Sequence, residues 1–173
     1  MTRILGFAGH SGSGKTALIE ALLPLLAERG LRVNVIKHSH HDVPLEPAGK
    51  DSARFRAAGA QEVVIASPYR YAIMHELRGR PQPDLREQVA RLAPADLTLV
   101  EGYKREPIAR IEVYRPALGR PPLHAQYPGD FIAVATDARL EVTLPCLPLN
   151  EPERVADFVC RHLGLEQLAG EER

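Results

Sequence analysis

Eight residues near the N-terminus, Gly9-His10-Ser11-Gly12-Ser13-Gly14-Lys15-Thr16, fit G-x-x-x-x-G-K-[ST] without a mismatch. This is the phosphate-loop pattern, and each residue type in it has a physical reason. Backbone N–H groups wrap a phosphate only where the chain turns back on itself and side chains stay clear, hence glycine at 9, 12 and 14. A helix starting at Lys15 adds unpaired N–H donors and a positive dipole end. Lys15 is expected to reach the β- and γ-phosphates as a point charge, and the Thr16 hydroxyl to take one Mg²⁺ position. Together with His10, Ser11 and Ser13, these residues form the expected nucleotide-binding loop. The bland alternative is a glycine turn with an incidental Lys-Thr, which a chain this long produces by chance roughly once in a hundred cases. No G-x-G-x-x-G register fits these glycines, so a dinucleotide-binding loop is excluded.

A second chemical signal lies far along the chain. Leu97-Thr98-Leu99-Val100 is a buried-strand run that delivers Glu101-Gly102 at its C-terminal end. An acidic residue in that place holds Mg²⁺ opposite the loop hydroxyl, directly or through water. Thr16 and Glu101 are therefore the expected metal residues, and Gly102 lets the backbone approach the γ-phosphate region. Many strands end in an acid, so the pairing with the loop is what gives Glu101 its meaning.

Three weaker clusters sit beside these. Lys37-His38-Ser39-His40-His41-Asp42 ends a strand, and strand C-termini face the ligand in an open α/β sheet. A fixed transition-metal site takes spaced ligands on rigid elements. Lys37, His38, His40 and His41 therefore read better as polar cleft residues than as a metal centre. Tyr103 to Gly129 is proline-rich and basic, with Lys104, Arg105, Arg110, Arg115 and Arg120; it is either a solvated arm or a contact for an anionic ligand or partner. Asp137 ends an apolar strand, where its carboxylate either caps the next turn or accepts the N1–H and N2–H₂ edge of guanine.

The elements that must position these groups follow from the pattern. The apolar run Ile4 to Ala8 suits a strand buried on both faces. A helix is expected from about Lys15 to Arg29, with Leu18, Ile19, Leu22, Leu23 and Leu26 as its apolar stripe and Pro24 on the solvent side. A strand at 31–37 follows, then a loop, a helix over 51–58, and a β-hairpin of Glu62–Ala66 and Tyr71–His75 around Ser67-Pro68-Tyr69-Arg70. Further helices are expected over 84–92 and 151–163, and further strands over 97–100, 108–114, 131–135 and 146–149, with the rest of 103–129 an exposed loop.

Bulk properties set the frame. The 173 residues suit one α/β domain, expected over 1–165 with a frayed tail at 166–173. Acids and bases balance at 22 each, so no overall field favours nucleic acid or membrane. No signal-peptide core precedes the loop and no apolar run spans a bilayer. The two cysteines, Cys146 and Cys160, read as buried thiols of a cytoplasmic protein.

Gly9 to Thr16, Val35 to Asp42, Gly49-Lys50-Asp51-Ser52, Ala58-Gly59-Ala60 and Leu99 to Lys104 together resemble the MobB family, the molybdopterin-guanine dinucleotide biosynthesis adaptor proteins. The resemblance runs from Met1 to about Leu163. It implies a three-layer P-loop NTPase fold: a mostly parallel sheet with helices on both faces and a small β-hairpin extension. It also implies GTP and Mg²⁺ as ligands, a homodimer, and action beside a MobA-like guanylyltransferase that attaches GMP to molybdopterin, with molybdopterin as a further candidate ligand. By position it puts Asp51 and the His38–Asp42 loop in the same cleft. Hydrolysis is expected to be weak, since no water-positioning Gln or in-cis arginine finger stands out. Guanine-specific relatives of the fold read the base through Asn-Lys-x-Asp, whereas this chain has Ala135-Thr136-Asp137. A small-molecule kinase using ATP and a metal-binding chaperone using His38, His40 and His41 are the rival readings.

Overall fold

The computed structural model describes residues 2–39, 41–103, 106–127 and 129–166. These fall into two compact units, Met1–His38 with Arg91–Arg173, and Ser39–Ala90.

The first unit is built on β1 (Arg3–Ala8), β2 (Val33–Lys37), β5 (Leu97–Glu101), β6 (Arg110–Tyr114), β7 (Phe131–Thr136) and β8 (Cys146–Pro148). They form one sheet in the order β2-β5-β1-β6-β7-β8, and every pairing is parallel. Parallel strands need covered faces, which explains the near-continuous apolar runs in the central strands. On one face Leu5, Phe7, Leu97, Leu99, Ile111 and Val113 pack with α1 (Lys15–Glu28) and α5 (Pro152–His162). Leu18, Ile19, Leu22 and Leu26 supply the buried side of α1, and Pro24 sits inside that helix at an exposed position. Burying one such leucine fully stabilises by about 2 kcal/mol.

The opposite face carries a smaller cluster of Ala8, Phe131 and Leu123. Leu123 opens α4 (Leu123–Gln126), a single turn lying where an exposed loop was expected. The reason is Glu112, on β6 and fully buried. Its carboxylate accepts the N–H groups of Leu123 at 2.6 Å and His124 at 3.0 Å, and meets His124 Nδ1 at 2.6 Å. A carboxylate at a helix start satisfies donors that would otherwise be orphaned. Cys160 is buried as expected, but Cys146 is exposed, because it lies on the edge strand β8.

The second unit contains α2 (Asp51–Ala57), β3 (Glu62–Ala66), β4 (Tyr71–His75) and α3 (Leu85–Ala90). The hairpin occurs at the expected residues, with Val63 opposite Met74 and Val64 opposite Ile73. Ser67 holds its turn by accepting the N–H groups of Tyr69 and Arg70 at 3.3 and 3.2 Å. α3 starts one residue later than expected because Asp84 stands outside it as a cap, and it ends at Ala90. Asp84 accepts from Glu87 N–H at 2.8 Å while Glu87 accepts from Asp84 N–H at 2.9 Å. Within this unit Arg56 bridges Glu46 at 2.8 Å and Glu76 at 2.6 Å. Bonds from the Ser52 hydroxyl and from Arg56 hold the Glu46 carboxyl below the usual carboxylate range. No helix among the described residues is long and apolar enough to cross a membrane.

Candidate functional site

The parallel register brings the C-terminal ends of five strands to one edge of the first unit. Phe7 of β1 pairs with Glu101 of β5, Ala8 with Glu112 of β6, and Tyr114 of β6 with Thr136 of β7. Lys37 of β2 pairs with Glu101. The residues just beyond these ends are His38, Gly102, the glycine loop, Arg115 and Asp137, in the order the strands take.

The loop's shape depends on the absence of a side chain at Gly9. A Cβ there would lie 2.4 Å from the Val113 carbonyl oxygen and 2.7 Å from Ser13 Oγ, closer than packed atoms tolerate. The loop closes on itself through Ser13 N–H to the His10 carbonyl at 3.2 Å. Gly14, at φ 97°, is the residue before α1. Lys15 Nζ donates to the carbonyls of Gly9 at 3.1 Å and His10 at 2.9 Å, which folds its ammonium back along the loop. His10 in turn reaches Pro121, donating Nε2–H to its carbonyl at 3.0 Å. Ser13 Oγ is buried and has no hydrogen-bond partner among the described residues.

Thr16 and Glu101 meet. The hydroxyl oxygen lies 3.1 and 3.0 Å from the two carboxylate oxygens, and Lys37 Nζ is 3.8 Å from the same carboxylate. Gly102 is packed closely against His38, the residue that follows β2. It has φ 104°, and a Cβ there would sit 3.1 Å from His38 Cβ. His38 also lies against Tyr103, with ring centroids 4.2 Å apart. Lys37 and His38 therefore flank the Glu101 end of the edge. His41 and Asp51 belong to the second unit, where Asp51 opens α2 and pairs with Arg54 at 3.3 Å. His40, Lys104 and Arg105 lie outside the described residues. Among the described residues no three His, Cys, Asp or Glu side chains gather to hold a metal ion.

At the other end stands a group that sequence reasoning left in an undifferentiated basic run. Arg115 donates through Nε to the Ser13 carbonyl at 3.1 Å and forms an ion pair with Asp137. In the turn after β7, Ala138 N–H bonds to Thr136 Oγ1 at 3.3 Å. Arg110, from the same run, is withdrawn from ligands. It is buried, meets Asp130 at 3.4 Å and covers the Phe131 ring at 5.5 Å. Arg110 is the first residue of β6 and is buried with the strand, whereas Arg115 lies just beyond its last residue, Tyr114.

The chain matches the family model MobB, described as Molybdopterin guanine dinucleotide synthesis protein B, over residues 4–137. It is 41% identical over 161 residues to the molybdopterin-guanine dinucleotide biosynthesis adapter protein of Escherichia coli (strain K12), covering 92% of each chain. The counterpart from Haemophilus influenzae is 42% identical over 157 residues, which is 90% of this chain and 86% of that one. A crystal structure of molybdopterin-guanine biosynthesis protein B superposes with a TM-score of 0.74 at 33% identity, over 92% of this chain and 99% of the other. Bacillus subtilis MobB gives 0.70 at 24% identity, over 92% and 96%, a likeness of fold alone. The architecture is the P-loop NTPase fold, and the chain belongs to the MobB family.

Proposed function

We propose that this protein is a GTP-binding adapter that works beside a MobA-like guanylyltransferase. A role as adapter in molybdopterin guanine dinucleotide biosynthesis is what its family membership supports; the nucleotide, the metal and the partner are the further steps of the reading. The observation that carries them is the meeting of Thr16 and Glu101 beside a closed glycine loop. Gly9 to Thr16 take the phosphates, with Lys15 released from the Gly9 and His10 carbonyls to the β- and γ-oxygens.

The donor set fits Mg²⁺. One hydroxyl and one carboxylate are hard oxygen ligands, and Mg²⁺ takes few protein ligands and completes its shell with phosphate and water. Thr16 and Glu101 would hold it, and it would neutralise charge between the β- and γ-phosphates. Lys37 stands beside the same carboxylate, 3.8 Å away. Hydrolysis is weak in this reading, since Arg115 is committed to Ser13 and Asp137 and not to the Thr16–Glu101 end.

Homodimer formation belongs to the same proposal. Val64, Tyr71 and Ile73 of the hairpin are exposed, at 59%, 72% and 58%, and a two-stranded sheet is marginal alone. Molybdopterin is the second candidate ligand of the adapter.

A reconstitution tests the reading. With a MobA-like enzyme, molybdopterin, Mg²⁺ and limiting GTP, the parent protein is expected to raise the rate of dinucleotide formation and Lys15→Ala to leave it unchanged. No response to the parent, or equal responses to both, contradicts it.

A further inference from the structure

Two ends of the site are separated by the sheet itself. β7 lies two strands from β1, so Asp137 stands about 10 Å from the glycine loop along the edge. That span matches the reach from a nucleotide's phosphates to its base. Beside Asp137, at the ends of β7 and β8, an open cavity of about 430 Å³ is lined by Thr136, Asp137, Leu147, Leu149, Asn150 and Arg154 among others. It has apolar walls for a ring face and polar groups for its edge.

One side chain bridges the interval. Arg115 touches the loop through Nε and Asp137 through a terminal nitrogen. Its guanidinium is a rigid fork, so both contacts are held by one plane and neither moves without the other. A carboxylate has about four lone-pair positions, and one arginine N–H leaves the rest available to two donors of a base. The chain has no Asn-Lys before Asp137 to tie this acid to the loop; alanine and threonine stand nearest before it.

We propose that Arg115 is the positioning residue of the base site, holding the Asp137 carboxylate toward the cavity and fastening it to Ser13 of the loop. Phosphate and guanine are then recognised by one connected unit, and the arginine is supplied by the strand next to the reader instead of by the reader's own strand. This rests on the GTP reading above. A bare structural clamp on the loop makes a different demand, because it affects every triphosphate alike.

Calorimetry on the full chain with GTP, ATP and inorganic tripolyphosphate, in Mg²⁺, separates the cases. The proteins are the parent, Arg115→Ala, Arg115→Lys, Asp137→Ala and the Arg115→Ala/Asp137→Ala double variant, each checked for folding by its thermal melt. Arg115→Ala is expected to lower the GTP-over-ATP preference about tenfold while tripolyphosphate affinity stays within about threefold. Arg115→Lys keeps the charge, loses the fork, and lowers the preference as well; it carries the test if the alanine variant fails to fold. In the Asp137→Ala background, removing Arg115 is expected to cost no further preference. Loss of GTP and tripolyphosphate together with the preference intact overturns the proposal, as does an additive loss in the double variant. A parent that binds GTP and ATP equally overturns it while leaving the phosphate loop in place. A parent that binds no triphosphate removes the GTP reading itself, and the proposal with it.

Discussion

Thr16 Oγ1 lies 3.0 Å from one carboxylate oxygen of Glu101 and 3.1 Å from the other, although 85 residues separate the two. The contact joins the first turn of α1 to the end of β5. It exists because β1 and β5 are parallel neighbours in register, with Phe7 opposite Glu101. Glu101→Gln keeps the shape and deletes the charge. Mg²⁺ is then expected to lose most of its enhancement of GTP binding, while binding measured in EDTA changes little. Equal Mg²⁺ dependence in the two proteins would make Glu101 an ordinary strand-end acid.

Glu112 is expected to matter for stability instead of ligand binding. It is fully buried, and three polar groups of α4 converge on it. Glu112→Ala leaves two backbone N–H groups and a histidine without their acceptor, at a cost of about 3 kcal/mol in unfolding free energy. Urea unfolding measures it. A loss below about 0.5 kcal/mol, the size typical of a surface change, would contradict the account of why α4 forms.

The hairpin carries the oligomer prediction. Val64 and Ile73 are directly opposite each other on β3 and β4, and both are exposed. A charge placed there disfavours burial against a second copy without touching the Val63–Met74 side. Light scattering is expected to give a dimer mass for the parent and a monomer mass for Ile73→Asp. A monomeric parent at tens of micromolar, or a dimeric variant, would count against self-association through this face.

What the sequence disclosed was mostly local. The glycine loop is a contiguous pattern, and the hairpin strands are bounded by their own turn residues, so both occur at the expected positions. Glu101 was legible through one further step, the rule that strand ends face the ligand. Arg115 was not legible, because its partners are 102 and 22 residues away. Only strand order makes β6 the bridge between the loop and β7. Glu112 reads as a solvent-facing residue of an alternating strand until β6 is known to be central in a parallel sheet, where both faces are covered. Cys146 is the reverse case: its strand is at the edge, so an apolar neighbourhood in sequence did not bury it.

Direct binding of GTP is the central claim and is the quantity to measure. Calorimetry on the parent in Mg²⁺ is expected to give one GTP per chain, bound more tightly than ATP and more weakly once Mg²⁺ is chelated. Lys15→Ala, which removes the charge proposed to meet the β- and γ-phosphates, is expected to weaken GTP by about 2 kcal/mol, roughly thirtyfold, with the thermal melt unchanged. Absence of GTP binding by the parent at millimolar nucleotide, or identical affinity in parent and Lys15→Ala, would contradict the account.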